Sequence, residues 1–417
     1  MTETPNANRL HIALFGKRNS GKSSLVNALT GQEAAVVSDT PGTTTDPVTK
    51  AMEIRGIGPC LFIDTPGFDD EGTLGERRVE RALRTMERAD IALLLCGGDG
   101  SAPQPDLADE LDWYRQLRSR HIPTILVLNK SDARQDPSTL ATRIAETFGT
   151  APLSVSAKQG IGMEQIRQAI LERLPEEFGR QSITGALATE GDLVLLVMPQ
   201  DIQAPKGRLI LPQAQTIREL LDKKCLVMSC TTDKLADSLR ALARPPRLII
   251  TDSQVFATVY GLKPPESLLT SFSILFAAHK GDIGYYAESA AAIDRLTENS
   301  RVLIAEACTH APLAEDIGRV KLPRLLRQRV GQGLAIDIVS GTDFPADLSP
   351  YQLVVHCGAC MFNRRYALAR IGRAKEQGVP MTNYGVAIAY LNGILDKVAL
   401  PRPLCGEPGP HRQGYTA

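Results

Sequence analysis

Residues 16–23 read Gly16-Lys17-Arg18-Asn19-Ser20-Gly21-Lys22-Ser23 and match the phosphate-binding pattern G-x-x-x-x-G-K-[ST]. The stretch follows an apolar segment, His11–Phe15, and precedes a helical pattern, Ser24–Leu29. A glycine-rich turn between a buried strand and a helix presents backbone N–H groups and the positive end of the helix dipole to phosphate. We expect Lys22 to reach the β- and γ-phosphates and Ser23 to hold Mg²⁺. The predicted phosphate-contacting residues are Gly16, Gly21, Lys22, Ser23 and Ser24.

A second motif, Asp64-Thr65-Pro66-Gly67, follows the apolar strand Cys60–Ile63. The Asp64 carboxylate suits the Mg²⁺ shell, either directly or through water. Gly67 can place a backbone N–H against the γ-phosphate. We therefore expect Lys22, Asp64 and Gly67 to act in nucleotide hydrolysis.

Two later motifs predict that the base is guanine. Asn129-Lys130-Ser131-Asp132 follows the strand Thr124–Leu128, and Ser156-Ala157-Lys158 follows Leu153–Val155. A carboxylate at Asp132 can accept two hydrogen bonds from guanine and is left unpaired by adenine, so it favours GTP and GDP. The predicted guanine-binding residues are Asn129, Lys130, Asp132, Ser156, Ala157 and Lys158.

Apolar runs alternate with helical stretches along the chain, which indicates an α/β fold. Runs buried on both faces are typical of parallel strands, so residues 1–180 are expected to form a doubly wound P-loop GTPase domain. A polar stretch, Pro175–Thr189, and the pair Pro264-Pro265 interrupt the pattern. The sequence thus predicts two smaller α/β domains, at 185–263 and 266–417.

Composition narrows the function further. Lys+Arg and Asp+Glu both number 47, and this balance argues against a protein whose main partner is nucleic acid. The first eight residues are polar, and the longest apolar runs, such as Ile91–Cys96, are too short to span a bilayer. We expect a soluble cytoplasmic protein with no membrane partner.

Cysteine and histidine cluster in the last third of the chain. Cys308-Thr309-His310 follows the strand Val302–Glu306, and His356-Cys357-Gly358-Ala359-Cys360 follows Leu353–Val355. Ligands of parallel sheets gather beyond the carboxyl ends of the strands. If these two strands are parallel, three thiols and two imidazoles therefore converge on one sheet edge.

Four interpretations of this cluster remain open on chemistry alone. The residues could be buried thiols with surface histidines, or the C-x-x-C pair could be a redox disulfide that leaves Cys308 and His310 unused. Three cysteines and a histidine also suit structural zinc. Three thiolates with a variable fourth ligand suit an iron–sulfur cluster.

The first domain resembles a known GTPase subtype. Pro41-Gly42-Thr43-Thr44-Thr45-Asp46 resembles switch I of the GTPases related to Era and to the tRNA-modification GTPase MnmE. The resemblance implies that Thr44 binds Mg²⁺ and that Asn19 binds a K⁺ ion beside the phosphates. Phe68 stands where Ras-like proteins often carry a water-orienting Gln, so we expect slow hydrolysis of GTP to GDP and phosphate, stimulated by K⁺.

A GTPase of this subtype followed by C-x-H and H-C-x-x-C resembles the HydF family, the maturation GTPases of [FeFe]-hydrogenase. The stretch 269–276, Leu-Thr-Ser-Phe-Ser-Ile-Leu-Phe, adds to the resemblance. The resemblance to this family implies a dimerisation domain and a domain that binds a [4Fe–4S] cluster through Cys308, Cys357 and Cys360. His310 and His356 become candidates for the fourth ligand or for a supporting role beside the ligands.

The same resemblance implies a scaffold that carries a transient di-iron precursor of the hydrogenase active site. Two radical-SAM maturases would build the precursor, the chain would act as a homodimer, and apo-[FeFe]-hydrogenase would receive the cargo. Basic residues near the cysteines, among them Arg319, Arg364, Arg365 and Arg370, are either solvated helix faces or attractors of anionic cargo. The alternatives are a zinc-binding GTPase and a regulatory GTPase of RNA or ribosomes.

Overall fold

A computed structural model describes residues 5–31, 48–54, 56–67, 73–98, 104–175, 178, 181–199, 209–307 and 316–401. The chain forms two compact units, Met1–Phe178 and Gly179–Ala417. Thr44, Cys308 and His310, which the sequence marks as site residues, lie outside the described residues. No helix in the described part of the chain has the length and apolar character that crossing a membrane requires.

The first unit is built on a six-stranded sheet. Its strands are β1 (Leu10–Gly16), β2 (Val48–Ile54), β3 (Gly58–Asp64), β4 (Ile91–Cys96), β5 (Thr124–Leu128) and β6 (Leu153–Ser154). Its α-helices are α1 (Lys22–Thr30), α2 (Thr73–Met86), α3 (Ala108–Ser119), α4 (Pro137–Phe148) and α5 (Met163–Glu172). The strand order is β2-β3-β1-β4-β5-β6, and every pair except β2–β3 is parallel.

Two hydrophobic cores lie on opposite faces of this sheet. Ile12 and Leu14 of β1 pack with Leu25 of α1, whereas Ala13 and Phe15 belong to the core that contains Trp113. Side chains of a strand point alternately to the two faces, so burial on both faces needs a continuous apolar run. The predicted doubly wound α/β fold is confirmed. The antiparallel edge strand β2 was not predicted, because its sequence mixes polar and apolar residues.

The second unit contains two parallel four-stranded sheets. The first has the order β10-β9-β7-β8. Its strands are β7 (Leu193–Val197), β8 (Leu226–Cys230), β9 (Leu248–Thr251) and β10 (Leu268–Ser271), and its helices are α6 (Leu211–Asp222), α7 (Leu235–Ala241), α8 (Phe256–Leu262) and α9 (Phe272–Lys280).

This sheet extends past the boundary that the sequence predicts between 263 and 266. Leu268 of β10 pairs with Leu248 of β9, and Phe272 and Phe276 of α9 belong to the same core as Leu248. The boundary prediction was wrong because Pro264-Pro265 marks a turn inside the domain. Ser267 N donates to Pro264 O at 3.0 Å in that turn.

The other sheet has the order β12-β11-β13-β14, and all its pairs are parallel. Its strands are β11 (Arg301–Glu306), β12 (Ala335–Ser340), β13 (Leu353–His356) and β14 (Met381–Asn383), and its helices are α10 (Ile283–Ala290), α11 (Leu322–Val330), α12 (Arg364–Glu376) and α13 (Tyr384–Leu391). The two sheets share one core, in which Leu195 and Ile249 meet Leu303 and Val354. A π-helical turn, Ile317–Lys321, directly precedes α11.

Candidate functional site

The glycine-rich loop connects β1 to α1, as its sequence predicts. Gly21, the residue before the helix, has a φ of 91°, and Asn19 has a φ of 57°. A Cβ atom on Gly21 would lie 2.3 Å from Nδ2 of Asn129, so no larger residue fits without displacing that side chain. Both the positive φ and the close approach require glycine here.

Lys22 lies buried under this loop. Its Nζ donates to the carbonyl oxygens of Gly16, at 2.9 Å, and Lys17, at 3.0 Å. Ser23 and Ser24, in the first turn of α1, are exposed. The ammonium group is therefore held inside the loop, where phosphate oxygens can replace the carbonyl oxygens as its partners.

Asp64 ends β3, directly beside β1, and pairs in register with Leu14. Its Oδ2 accepts a hydrogen bond from the Ser23 hydroxyl. Burial raises the pKa of Asp64, although the Ser23 hydrogen bond and the charge of Lys22 act in the opposite direction. Two of the three predicted Mg²⁺ ligands, Ser23 and Asp64, are thus neighbours, and Gly67 follows three residues later along the same segment.

Asn129 joins the three nucleotide motifs. It is 3% exposed and follows β5; its Nδ2 donates to Ser20 O at 3.1 Å, and its Oδ1 accepts from Ala157 N at 3.1 Å. Ser131 N also donates to Val155 O at 3.0 Å. Sequence reasoning assigns Asn129 to the nucleotide, whereas the structure gives it a bridging role between the phosphate loop and the guanine loops.

The remaining guanine-site residues surround this bridge. Lys130 has a left-handed φ of 60°, and Ser156 is fully buried, with its Oγ accepting from Gln159 N at 3.1 Å. Asp132 and Lys158 are exposed. The buried members fix the loops, and the exposed Asp132 carboxylate can accept hydrogen bonds from a base.

One contact of the phosphate loop was missed by sequence reasoning. Nζ of Lys17 lies 3.1 Å from Asp109 Oδ2 and 3.2 Å from Oε2 of Glu110, which is fully buried. Burial raises the pKa of Glu110, and Lys17 acts against this. Burial also acts to lower the pKa of Lys17, but the two carboxylates outweigh it and raise that pKa.

Residues 357–360 form a turn, the cysteine turn, which follows β13 in the second unit. β11 and β13 are neighbouring parallel strands, and Cys357 N donates to Ala305 O at 2.9 Å. Sγ of Cys357 accepts hydrogen bonds from Ala307 N at 2.9 Å and from Ala359 N at 3.4 Å. Burial raises the pKa of the Cys357 thiol to about 11, although both N–H groups act to lower it.

Cys360 completes the turn and is partly exposed, while Ala359 between the two cysteines has a φ of 51°. Within the described ranges, no group of three or more Cys, His, Asp or Glu side chains is arranged for a metal ion. The other predicted members, Cys308 and His310, begin one residue beyond Ala307.

His356 is buried and uses both ring nitrogens. Nδ1 lies 2.7 Å from Cys357 O, and Nε2 lies 2.9 Å from Nη1 of Arg370. A guanidinium can only donate, so Nε2 accepts and Nδ1 carries the proton that is donated to Cys357 O. Burial, together with the charge of Arg370, lowers the pKa of His356 to about 3. This arrangement favours a supporting role for the imidazole over direct ligation.

Several basic residues near the turn are engaged inside the fold. Nη1 of Arg364 donates to His279 O at 3.1 Å and to Gly281 O at 3.3 Å. Arg319 pairs with Glu306 at 3.0 Å. Arg370 is buried, so the interpretation of this residue as part of a solvated helix face was wrong.

Comparisons with known protein families match three successive stretches of the chain. Residues 11–130 match the family model described as 50S ribosome-binding GTPase. Residues 183–281 match the hydrogen maturase F dimerization domain, and residues 284–401 match the hydrogen maturase F tetramerization domain. The match to the dimerization domain extends to residue 281 and therefore includes β10 and α9.

Curated relatives match the first domain. GTPase Der of Wolinella succinogenes is 37% identical over 186 residues, which are 43% of this chain and 38% of that protein. The tRNA modification GTPase MnmE of Laribacter hongkongensis is 36% identical over 164 residues, which are 39% of this chain and 34% of that protein. The chain thus spans little more than a third of the length of these relatives.

The GTPase motifs lie on the strands and loops that a GTPase requires, and the two HydF models together cover most of the chain beyond the first domain. The chain belongs to the hydrogen maturase F (HydF) family, with a GTPase domain followed by the two oligomerisation domains of that family.

Proposed function

We propose that this hydrogenase maturation GTPase is a scaffold that binds a [4Fe–4S] cluster through Cys308, Cys357 and Cys360. On this proposal it carries the di-iron precursor of the [FeFe]-hydrogenase active site as cargo and delivers it to the apo-hydrogenase. Two radical-SAM maturases supply the cargo. The chain works as a cytoplasmic homodimer or higher oligomer, without nucleic acid.

The observation that carries this proposal is the parallel pairing of β11 with β13. Because both strands end at the same edge, Ala307 N reaches Cys357 Sγ at 2.9 Å, and Cys308 is the next residue after Ala307. From the sequence alone, the cysteines were expected to converge only if these two strands are parallel. A C-x-H segment and an H-C-x-x-C segment that leave one sheet edge together can offer their thiols to one metal group.

The chemistry of the Cys357 turn fits a cluster ligand. Burial raises the pKa of the Cys357 thiol to about 11, but two backbone N–H groups point at its Sγ and act in favour of the thiolate that a metal ion requires. Hydrogen bonds to sulfur are also one of the means by which proteins set the potential of iron–sulfur clusters. Cys360 is partly exposed on the same turn and is the second proposed ligand.

Three protein thiolates leave one iron of a [4Fe–4S] cluster without a cysteine ligand. That iron would hold an exchangeable ligand, which the cargo could replace when it binds. Both nitrogens of His356 are engaged, so His356 holds the Cys357 carbonyl in place. His310 remains the histidine proposed for the exchangeable position.

We propose that the GTPase domain binds nucleotide through Lys22, Ser23, Asp64 and Asp132. Lys22 exchanges the carbonyl oxygens of Gly16 and Lys17 for phosphate oxygens, and Ser23 with Asp64 holds Mg²⁺, which neutralises phosphate charge. Asp132 accepts hydrogen bonds from the guanine edge. Thr44 is proposed as a further Mg²⁺ ligand, and the Gly67 N–H as a contact of the γ-phosphate.

Asn19 is proposed to bind K⁺, which would supply positive charge beside the phosphates. Its side chain is exposed in the phosphate loop, and its backbone has a left-handed φ of 57°. The assignment rests on the resemblance of this domain's motifs to the GTPases related to Era and MnmE.

The test is anaerobic iron, sulfide and zinc analysis with EPR of the reduced full chain. We expect about four irons per chain and a cluster signal in the wild type. The Cys357→Ser variant should lose or alter the signal. Cys230→Ser is the matched control, because Cys230 is a half-buried thiol on β8 and should leave iron content unchanged. Zinc without iron would support the zinc-binding alternative, and a chain without either metal would refute the scaffold.

A further inference from the structure

Arg370, on α12, is the largest fully buried side chain among the described residues, with 1% exposure. Its guanidinium carbon lies 4.7 Å from the ring centres of Phe344 and Tyr366 and 4.8 Å from that of Phe362. Aromatic faces attract a cation, and the attraction is stronger where water is excluded. The side chain is therefore enclosed by three rings directly behind the cysteine turn.

The guanidinium is held by hydrogen bonds to neutral groups. Nη2 donates to Gly341 O at 2.5 Å and to Tyr366 Oη at 3.4 Å, and Nη1 donates to His356 Nε2 at 2.9 Å. Nε is buried and has no hydrogen-bond partner within the described residues. No carboxylate of the described chain forms an ion pair with Arg370, in contrast to Arg319 and Arg329.

A buried guanidinium without a counter-ion is costly, because the group keeps its charge in proteins and loses its hydration. An apolar side chain of similar length would fill the same aromatic cage without this cost. The fold nevertheless keeps the positive charge one side chain away from the turn that carries Cys357. An anion bound at that turn would supply the missing compensation.

Two successive hydrogen bonds also connect the guanidinium of Arg370 with the cysteine turn. Arg370 Nη1 fixes which nitrogen of His356 accepts, and the other nitrogen donates to Cys357 O at 2.7 Å. Without Arg370, the imidazole could rotate or change tautomer, and the carbonyl of Cys357 would lose its donor. Partners behind a metal ligand typically affect metal affinity by about 10–100-fold.

We propose that Arg370 is a positioning residue of the cysteine site: it locks the His356 imidazole against the Cys357 carbonyl and provides the buried positive charge that an anionic iron–sulfur cluster needs there. The inference rests on the proposed function for the identity of the anion. The positioning part concerns only contacts of this chain and can be measured without iron.

The first experiment records the nitrogen NMR signals of the histidine rings in the iron-free full chain, labelled with ¹⁵N at histidine. The chain has six histidines, and a His356→Gln variant assigns the signal of His356. We expect the Nδ1–H tautomer in the wild type and a mixed or Nε2–H tautomer in Arg370→Met. Arg329→Met is the matched control, because Arg329 is an exposed arginine of the same domain, and it should leave the signal unchanged. An unchanged signal in Arg370→Met would overturn the positioning role.

The second experiment uses the anaerobically reconstituted chain and a redox titration followed by EPR. Loss of the cation in Arg370→Met should make the cluster potential more negative and speed iron loss to a chelator by about tenfold or more. Arg370→Lys, which keeps the charge, should retain the wild-type potential more closely and guards against a variant that fails to fold. Equal potentials in all three chains would overturn the electrostatic role.

Failure of the proposed function has a different signature. A wild-type chain that takes up no iron would refute the scaffold and the electrostatic role together. The tautomer measurement would still decide whether Arg370 positions His356.

Discussion

Gly21 and Asn129 are 108 positions apart in the chain, yet a Cβ atom on Gly21 would lie 2.3 Å from Nδ2 of Asn129. The amide of Asn129 therefore rests against the start of α1, where it bonds Ser20 O on one side and Ala157 N on the other. This side chain therefore links the phosphate loop to the guanine-binding loop that contains Ala157. Substitutions at either position should consequently disturb the loops that contact nucleotide and lower nucleotide affinity.

Gly21→Ala should weaken GTP binding by roughly 30–1,000-fold. The new methyl group would displace Asn129, and alanine is strained at a φ of 91°. Strain and two lost hydrogen bonds together amount to about 2–4 kcal/mol. Titration with a fluorescent GTP analogue measures the effect.

Gly31→Ala is the matched control for that substitution. Gly31 ends α1 with a φ of 64°, and no atom lies within 4 Å of its would-be Cβ. Alanine there should cost about 1 kcal/mol of folding free energy and leave GTP affinity unchanged. Equal GTP affinities for the two variants would show that the close approach to Asn129 does not matter.

Asn129→Ala should lower GTP affinity by roughly 5–150-fold. The substitution leaves the buried Ser20 carbonyl and the Ala157 N–H without their partner, at a cost of about 1–3 kcal/mol. Calorimetric titration with GDP checks it. Asn27→Ala, at an exposed asparagine of α1, is the control and should bind GDP normally. Full affinity in Asn129→Ala would contradict the bridging role.

The nucleotide site was largely predictable because each motif is local in sequence and follows a strand. A buried parallel strand reads as an apolar run, and the polar residues after it must lie at the carboxyl edge of the sheet. For the same reason the sequence placed the segments after β11 and β13 at one edge, on the condition that the strands are parallel. The structure confirms that condition.

Contacts between distant segments were not predictable. Lys17 reaches Glu110 across 93 positions, and nothing in either local pattern distinguishes them from solvated charges. Arg370 was grouped with exposed basic residues because α12 is rich in arginine. Its burial depends on Phe344, which comes from a segment between β12 and β13.

Replacing NaCl by KCl should raise the rate of GTP hydrolysis more than about tenfold, and Asn19→Ala should abolish the difference between the salts. A positive charge supplied beside the phosphates accelerates hydrolysis by roughly 10³–10⁵-fold in related enzymes. Phosphate release measured in both salts checks the prediction. Arg18→Ala, a neighbour in the same loop, should keep the ratio between KCl and NaCl. Equal rates in the two salts for the wild type would remove K⁺ from the mechanism.

Lys17→Met should destabilise the first domain by about 1–3 kcal/mol near neutral pH. The substitution leaves the Glu110 carboxylate buried without its cation, but Lys17 retains some solvent contact, so the cost is below that of a fully buried pair. Chemical denaturation with a probe in the first domain, such as Trp113, measures it. Lys17→Met with Glu110→Gln should recover much of the loss, since no charge then remains buried.

The pH dependence gives the sign of this effect. The pKa of Glu110 is raised above its ordinary value of 4.5 in the folded chain, so folding favours the protonated carboxyl. Stability from this group is therefore greatest below pH 4.5 and falls as the pH rises through the raised pKa. Removing Lys17 raises that pKa further, so the deficit of Lys17→Met should be small at pH 4 and grow towards pH 7. A deficit that is independent of pH would mean that Lys17 stabilises the loop by packing and not by neutralising Glu110.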